Sequence, residues 1–207
     1  MHAKSSTGYV ALSEPHVHKI EVKKSVFIAY AWPTATGSDA LALIESHKDL
    51  SASHNCFAWR IGAGGNDYRS SDDGEPGGTA GRPILASIEG EDMSDTTVMV
   101  TRFFGGTKLG TGGLVRAYGQ AARDCLRGAK EEKKTFFKKP RRAIKISISF
   151  DFIGKAYQAI DAVAGERIGE EYTTDCVILS CSVNEDDLDS LKNTLMDVTA
   201  GKVAIDC

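Results

Sequence analysis

Hydrophobic positions recur along the chain at two spacings, and together they predict a mixture of strands and helices. Continuous runs of β-branched and aromatic residues predict strands in the first two thirds of the chain, at 22–32, 55–61 and 96–104. Apolar residues at helical spacing predict helices at 39–48, 79–88 and 113–129. Strands and helices therefore both contribute to the core of this part.

The last third of the chain has a rhythm of its own. Ile144, Ile146 and Ile148 alternate with polar residues, which predicts a half-buried strand over 143–150. A helix over 154–163 follows, then strands over 167–172 and 176–183, a helix after Asn184 and a strand over 202–206. This order, βαββαβ, is that of the ferredoxin-like split-βαβ unit.

Between these parts lies a charged segment that contains Lys-Lys-Pro-Arg-Arg at 138–142. Charge and proline are typical of a domain boundary. The sequence therefore predicts an N-terminal domain over 1–130, a basic linker over 131–141 and a C-terminal domain over 142–207.

Composition narrows the class of protein. Hydrophobic residues make up 42% of the chain and charged residues 26%, values typical of a globular domain. No apolar run approaches the ~20 residues that a membrane-spanning helix needs. The five cysteines form no Cys-x-x-Cys pair. We therefore expect reduced thiols, a cytoplasmic location and no metal or cofactor, whereas the oligomeric state stays open.

Charge is concentrated in one band. Residues 123–145 carry 10 basic and 3 acidic side chains, although the whole chain has a net charge of −3. Such a band can attract nucleic acid, or it can be a solvated helix end and linker. The candidate nucleic-acid contacts are Lys133, Lys134, Lys138, Lys139, Arg141 and Arg142.

Two glycine-rich loops hold the candidate chemistry. The first contains Asp72, Asp73 and Glu75, which suit a turn, an ion-pair cluster or, less specifically, Mg²⁺. The second follows a buried strand and opens a helix, where backbone N–H groups can bind an anion. It lacks the lysine of a Walker A motif and the glycine spacing of a Rossmann fingerprint. Its glycines serve either an anion site or close packing.

Because loops at strand ends often meet at one edge of an α/β layer, we expect the carboxylates to lie near Arg102, Lys108 or Arg116. No catalytic residue is predicted, since His54-Asn-Cys56 is more typical of a packed thiol beside a capping histidine. The candidate binding residues are His54, Asp72, Asp73, Glu75, Arg82, Arg102, Gly105, Gly106, Lys108, Gly110, Thr111, Gly112, Gly113 and Arg116.

Three motifs together resemble the IMPACT/YigZ family. They are His54-Asn-Cys, the segment from Ser71-Asp-Asp-Gly-Glu-Pro to Gly81-Arg-Pro, and the long ungapped segment from Val100-Thr-Arg-Phe-Phe-Gly-Gly to Arg116-Ala-Tyr-Gly. The resemblance covers roughly residues 24–122. The βαββαβ tail is similar to the C-terminal domain of YigZ-type members, which resembles a domain of elongation factor G.

The resemblance implies an α+β protein whose first domain is a ribosomal protein S5 domain 2-like sandwich. It also implies a non-enzymatic role in translation, with RNA, the ribosome or a translation-regulatory protein as partner. Eukaryotic members restrain a starvation-activated kinase by competing for its activator. The alternative is an enzyme that acts on a phosphorylated small molecule through the glycine-rich loop and the carboxylates, as small-molecule kinases with an S5-like fold do.

Overall fold

The computed structural model describes residues 8–206 and contains two compact units, Tyr9–Lys138 and a second that begins at Lys139. Positions 1–7 and 207, which include the outer ends of both predicted domains and Cys207, lie outside the described residues. Each unit has a hydrophobic core of its own.

The first unit contains seven strands and three helices. The strands are β1 (Tyr9–Leu12), β2 (His16–Val22), β3 (Ser25–Pro33), β4 (His54–Ile61), β5 (Asp67–Ser71), β6 (Thr96–Phe103) and β7 (Thr135–Lys138). The helices are α1 (Gly37–His47), α2 (Gly81–Gly90) and α3 (Thr111–Glu131). Five strands form an antiparallel sheet in the order β2-β3-β6-β4-β5, and β1 pairs with β7 in a separate two-stranded sheet.

Side-chain alternation on the central strands gives this sheet two apolar faces. On β4, Cys56 and Ala58 belong to the core that includes α2 and α3, whereas Phe57 and Trp59 belong to the core that includes α1. Successive strand residues point to opposite faces, so one continuous apolar run can serve both. The sheet is therefore sandwiched between α1 and the α2–α3 pair, and the neighbouring strands β4 and β6 carry His54 and Arg102 to the same end of the sheet.

The second unit contains β8 (Arg141–Ile148), α4 (Ile153–Ala162), β9 (Glu166–Tyr172), β10 (Val177–Asn184), α5 (Leu188–Val198) and β11 (Val203–Asp206). Single 3₁₀ turns precede α4 and α5. Its antiparallel sheet has the order β11-β8-β10-β9. Ile144, Ile146 and Ile148 are buried against both helices. The elements follow one another in the predicted order βαββαβ.

Part of the segment expected as a linker, 131–141, forms a strand. Residues 135–138 form β7, which pairs with β1 from Tyr9↔Lys138 to Leu12↔Thr135, and β8 begins at Arg141. The charge of this segment does not prevent strand formation, because Lys138 donates a hydrogen bond to Asp95. The first unit accordingly extends to Lys138 rather than to residue 130.

The predicted strand over 22–32 is also incomplete. The structure has a hairpin there, in which β2 and β3 are joined at Lys23 and Lys24, both at positive φ. Overall the protein is α+β. None of the helices within residues 8–206 combines the length and the apolar character that crossing a bilayer would require.

Candidate functional site

A cavity of about 490 Å³ opens in the first unit where the two glycine-rich loops meet. Strand β4 brings His54 to it and strand β6 brings Arg102, while the loops bring Glu75 and Lys108. The full lining is Ser53, His54, Glu75, Pro76, Arg102, Phe104, Lys108, Leu109, Gly110, Thr111 and Leu114. One cavity thus collects residues from both loops.

Glu75 and Arg102 form a buried ion pair at this cavity. Arg102 Nη1 donates to Glu75 Oε1 at 2.5 Å, and the Tyr118 hydroxyl donates to the same oxygen at 2.8 Å. The side chains of Glu75 and Arg102 are 3% and 7% exposed. The expected approach of a first-loop carboxylate to Arg102 is therefore present. Burying both charges is tolerable because each has the other as partner.

Two aromatic rings hold the guanidinium of Arg102 in place. Its Cζ atom lies 5.6 Å from the ring centroid of Phe27 and 5.5 Å from that of Phe104. The Nε atom is buried and has no hydrogen-bond partner among the residues that the structure describes. An unpaired N–H donor on a buried cation is costly, so Arg102 retains capacity for an acceptor beyond Glu75.

His54 extends the polar cluster at the end of β4. Its Nδ1 lies 2.8 Å from the Asp73 carbonyl oxygen. A carbonyl oxygen can only accept, so Nδ1 carries the proton and donates. In the neutral ring Nε2 then holds the lone pair, and it lies 3.8 Å from Glu75 Oε1. His54 is thus held at the cavity wall with Nε2 directed towards Glu75.

The N-terminus of α3 supplies the positive side of the cavity. Gly110, at φ +73°, is the N-cap, and no side chain caps the helix there. Because the first backbone N–H groups of a helix have no intrahelical partner, this end has a partial positive charge. The exposed Lys108 and the residues Gly110 and Thr111 line the cavity at this end.

Asp72 and Asp73 serve the backbone instead of the cavity. Asp72 accepts hydrogen bonds from the amides of Gly78, Ala80 and Gly81, which fixes the loop before α2. Burial alone would raise the pKa of Asp72, but these three bonds outweigh it and lower the pKa. Asp73 Oδ2 accepts from the Asn55 amide at 2.6 Å. Of the three carboxylates, Glu75 alone lines the cavity.

The remaining predicted binding residues do not line the cavity. Arg82 is exposed on the first turn of α2. Gly105 packs so tightly that an added Cβ would lie 2.0 Å from the Lys24 carbonyl, so its role is close approach. Arg116 and Gly113 line a separate depression beside Lys23. Gly106 lies in the second loop and Gly112 in the first turn of α3.

The thiol of Cys56 lies beside this cluster and is inert. Its Sγ donates to the Asp72 carbonyl at 3.0 Å. Burial raises the pKa of Cys56 to about 12, and burial also raises the pKa of Tyr118. A thiolate, and not a thiol, is the nucleophile. Cys56 is therefore a packing residue at neutral pH.

The candidate nucleic-acid residues are mostly engaged within their own units. Lys134 pairs with Glu132 at 2.7 Å and Lys138 with Asp95. In the second unit Lys139 pairs with Asp186 at 3.6 Å, Arg142 with Glu185 at 3.3 Å, and Arg141 donates to the carbonyls of Ser182 and Ala164. Lys133 is the member of this set for which the described part of the chain shows no side-chain pairing. The band is not a row of free cations.

Several residues at the cavity or in contact with its lining were not predicted. Phe104 and Leu109 stand inside the second motif, but aromatic and apolar loop residues gave no chemical signal. Tyr118 could have been found, because it lies four residues after Leu114 on the apolar face of α3 and its hydroxyl needs a buried partner. Within residues 8–206, no three His, Cys, Asp or Glu side chains are arranged so that they could hold a metal ion.

Comparison with known proteins identifies the family. The family model described as the Impact N-terminal domain matches residues 23–126, which include both glycine-rich loops and every cavity residue. The chain belongs to the IMPACT family. The family member YvyE of Bacillus subtilis is 32% identical over 94% of this chain and 88% of its own length.

Two other members match over about half of this chain. An IMPACT family member of Thermus thermophilus is 49% identical over 52% of this chain and 58% of its own length. YigZ of Escherichia coli is 44% identical over 56% of this chain and 58% of its own length. The chain thus spans somewhat more than half of these two relatives in the match. A crystal structure titled as that of a hypothetical protein is similar over 96% of both chains, with 30% identity and a TM-score of 0.73.

Proposed function

We propose that this IMPACT family member is a non-enzymatic, translation-associated regulator that binds RNA, and that the cavity between the glycine-rich loops is its contact surface. The observation that carries the proposal is the convergence of Arg102, Lys108 and the uncapped N-terminus of α3 on one cavity. The IMPACT family is generally related to translation, which supports the biological setting.

The cavity has both features that single-stranded RNA requires of a protein. Lys and Arg side chains bind phosphates, and exposed aromatic rings accept unstacked bases. Lys108 supplies the first, and Phe104, which is 49% exposed, supplies the second. The basic band is a weaker candidate, since five of its six predicted contacts already have partners.

The fold that we propose for each unit also occurs in proteins of translation. We propose that the first unit is S5 domain 2-like, since helices cover both faces of its sheet. We further propose that the second unit is equivalent to the βαββαβ domain of elongation factor G. Likeness of fold alone is weak support for function, so the RNA proposal depends on the cavity.

The alternative, an enzyme acting on a phosphorylated small molecule, would use the same cavity. A volume of about 490 Å³ suits a small molecule. In that case Glu75 or His54 would have to act as a base. Glu75 is already engaged by Arg102 and Tyr118, which favours binding over proton transfer.

The test compares the binding of single-stranded RNA by two variants, each of which reverses one exposed positive charge. Lys108→Glu reverses an exposed charge at the cavity, and Lys133→Glu reverses an exposed charge in the basic band. We expect Lys108→Glu to weaken binding about tenfold or more and to lower the dependence of affinity on salt, because each lost phosphate contact reduces the counterions released. Lys133→Glu should bind as the parent does.

Fluorescence anisotropy with a labelled RNA, at several salt concentrations, measures the affinity and its dependence on salt. Co-sedimentation with ribosomes, with and without nuclease, gives the corresponding result in lysate. A larger effect of Lys133→Glu would place the contact on the basic band. Absence of RNA binding by the parent protein would overturn the proposal.

A further inference from the structure

We propose that the cavity recognises a terminal phosphate monoester of an RNA chain, with the phosphate at the N-terminus of α3 and the adjoining base on Phe104. This inference rests on the proposed function and adds the group that is recognised. It distinguishes an RNA end from the phosphodiesters within the chain.

The shape of the cavity favours an end of the chain. Glu75 and Arg102 line the cavity as a buried ion pair, and Tyr118, also buried, donates to Glu75 behind them. A chain that continued inward past the phosphate would meet this buried ion pair. A terminal nucleotide can enter and stop, and 490 Å³ lies within the ~300–1,000 Å³ of sites that hold one small molecule.

The charges favour a monoester. An internal phosphodiester carries one negative charge, whereas a phosphate monoester carries about −1.5 to −2 at neutral pH. Glu75 neutralises one of the two cations, Arg102 and Lys108, that line the cavity. The uncapped helix end adds about half a positive charge. Several donors around one cavity suit a group with three free oxygens better than a diester with two.

Two further observations point to a ligand. The Nε atom of Arg102 is buried and has no partner among the described residues, and Nη1 donates to Glu75, so the hydrogen-bonding capacity of this cavity-lining guanidinium is not fully used. Phe104 is half exposed although its ring contacts that guanidinium on one side. A base could stack on its open side, next to the apolar Pro76 and Leu109 of the lining.

The experiment compares three unlabelled single-stranded RNA oligomers of one sequence by isothermal titration calorimetry. One has a 5′-phosphate, one a 3′-phosphate and one no terminal phosphate. We expect at least one phosphorylated oligomer to bind about tenfold more tightly than the third, as one or two charge-assisted hydrogen bonds would produce. Inorganic phosphate should compete for this increment.

Variants test whether the gain in affinity from the terminal phosphate arises at the cavity. Lys108→Ala should abolish the preference for the phosphorylated end. Phe104→Leu should lower the affinity for all three oligomers. Lys133→Ala, the exposed control in the basic band, should retain the preference. Melting curves of each variant verify that it is folded.

The outcomes separate this inference from the proposed function. If all three oligomers bind equally, the inference fails and RNA binding stands. If no oligomer binds, both fail; stabilisation of the parent, but not of Lys108→Ala, by a nucleoside 5′-monophosphate would then assign the phosphate site to a small molecule. A preference that survives Lys108→Ala also overturns the inference.

Discussion

Glu75 is buried only because Arg102 is there to pair with it. Replacement by glutamine keeps the size of the side chain but leaves Arg102 as a buried charge without its counter-ion. Removal of one partner of a buried pair costs about 3–5 kcal/mol, and the lower end applies here because Arg102 lines a cavity. We expect Glu75→Gln to lower the free energy of unfolding by about 3 kcal/mol in urea denaturation.

Glu45→Gln is the matched control, because Glu45 pairs with Lys48 on the exposed side of α1. Surface pairs of this kind contribute little, so its denaturation curve should overlay that of the parent. Equal stability of Glu75→Gln and the parent would mean that the Glu75–Arg102 pair does not stabilise the fold.

Burial also determines the chemistry of the thiols. It raises the pKa of both Cys56 and Cys125 to about 12, from an ordinary value of 9.0. The folded state thus keeps two protons that the unfolded chain loses above pH 9. The stabilisation is complete below pH 9 and is lost as the pH rises towards 12.

Among the cysteines within residues 8–206, we expect iodoacetamide at pH 8 to modify the half-exposed Cys176 first, with Cys56 and Cys125 protected until denaturant is added. Peptide mass mapping reads each site separately. Rapid labelling of Cys56 in the folded protein would contradict the burial on which its inert role depends.

At the scale of elements, α2 is positioned by a carboxylate outside the helix. Its N-cap, Ala80, has no side-chain cap, and Asp72 accepts from the amides of Ala80 and Gly81 in its place. Loss of such a cap costs about 0.5–2 kcal/mol. We expect Asp72→Asn to lower stability by about 1–2 kcal/mol at pH 7.

The pH dependence has a definite sign. The pKa of Asp72 is lowered on folding, so its contribution is present above the ordinary value of 3.8 and is lost as the pH falls through the folded value. The difference between Asp72→Asn and the parent should therefore shrink below pH 4. Glu89→Gln, on the exposed side of the same helix, should match the parent at every pH.

For the whole molecule, the sequence predicts those elements in which burial of one face gives the hydrophobic residues a regular spacing. The βαββαβ unit was predicted because buried residues alternate with less buried ones along β10 and along the second half of β8, from Ile144 to Ile148. Strand β5 was missed because four of its five residues are exposed and the fifth is half buried, so no alternation marks it. The start of α3 at Thr111 was missed because Gly112 and Gly113 are poor helix formers.

The site follows the same division. The motifs indicated His54, Glu75, Arg102 and Lys108, because charged residues among glycines are typical of a binding loop. What they could not indicate is which carboxylate faces the cavity. That depends on the backbone amides that engage Asp72 and Asp73, and these come together only in the folded chain.

The boundary between the units gives the last prediction. Strand β7 pairs with β1 along its whole length, and Lys138 donates to Asp95, which also accepts from Tyr9. A fragment of residues 1–138 should therefore fold cooperatively, whereas a fragment of residues 1–130 loses this strand and uncovers the buried Tyr9 and Leu12. We expect the shorter fragment to melt at least about 4 °C lower, since ~1 kcal/mol corresponds to roughly that shift in a domain of this size. Circular dichroism melting, with size-exclusion chromatography to exclude aggregation, measures the difference. Lys138→Met in the longer fragment separates the charge from the strand, because it keeps β7 and removes the contacts of the Lys138 ammonium with Asp95 and with the Tyr9 ring. Equal melting temperatures for the two fragments would mean that the first unit ends with α3 and that β7 contributes nothing to its stability.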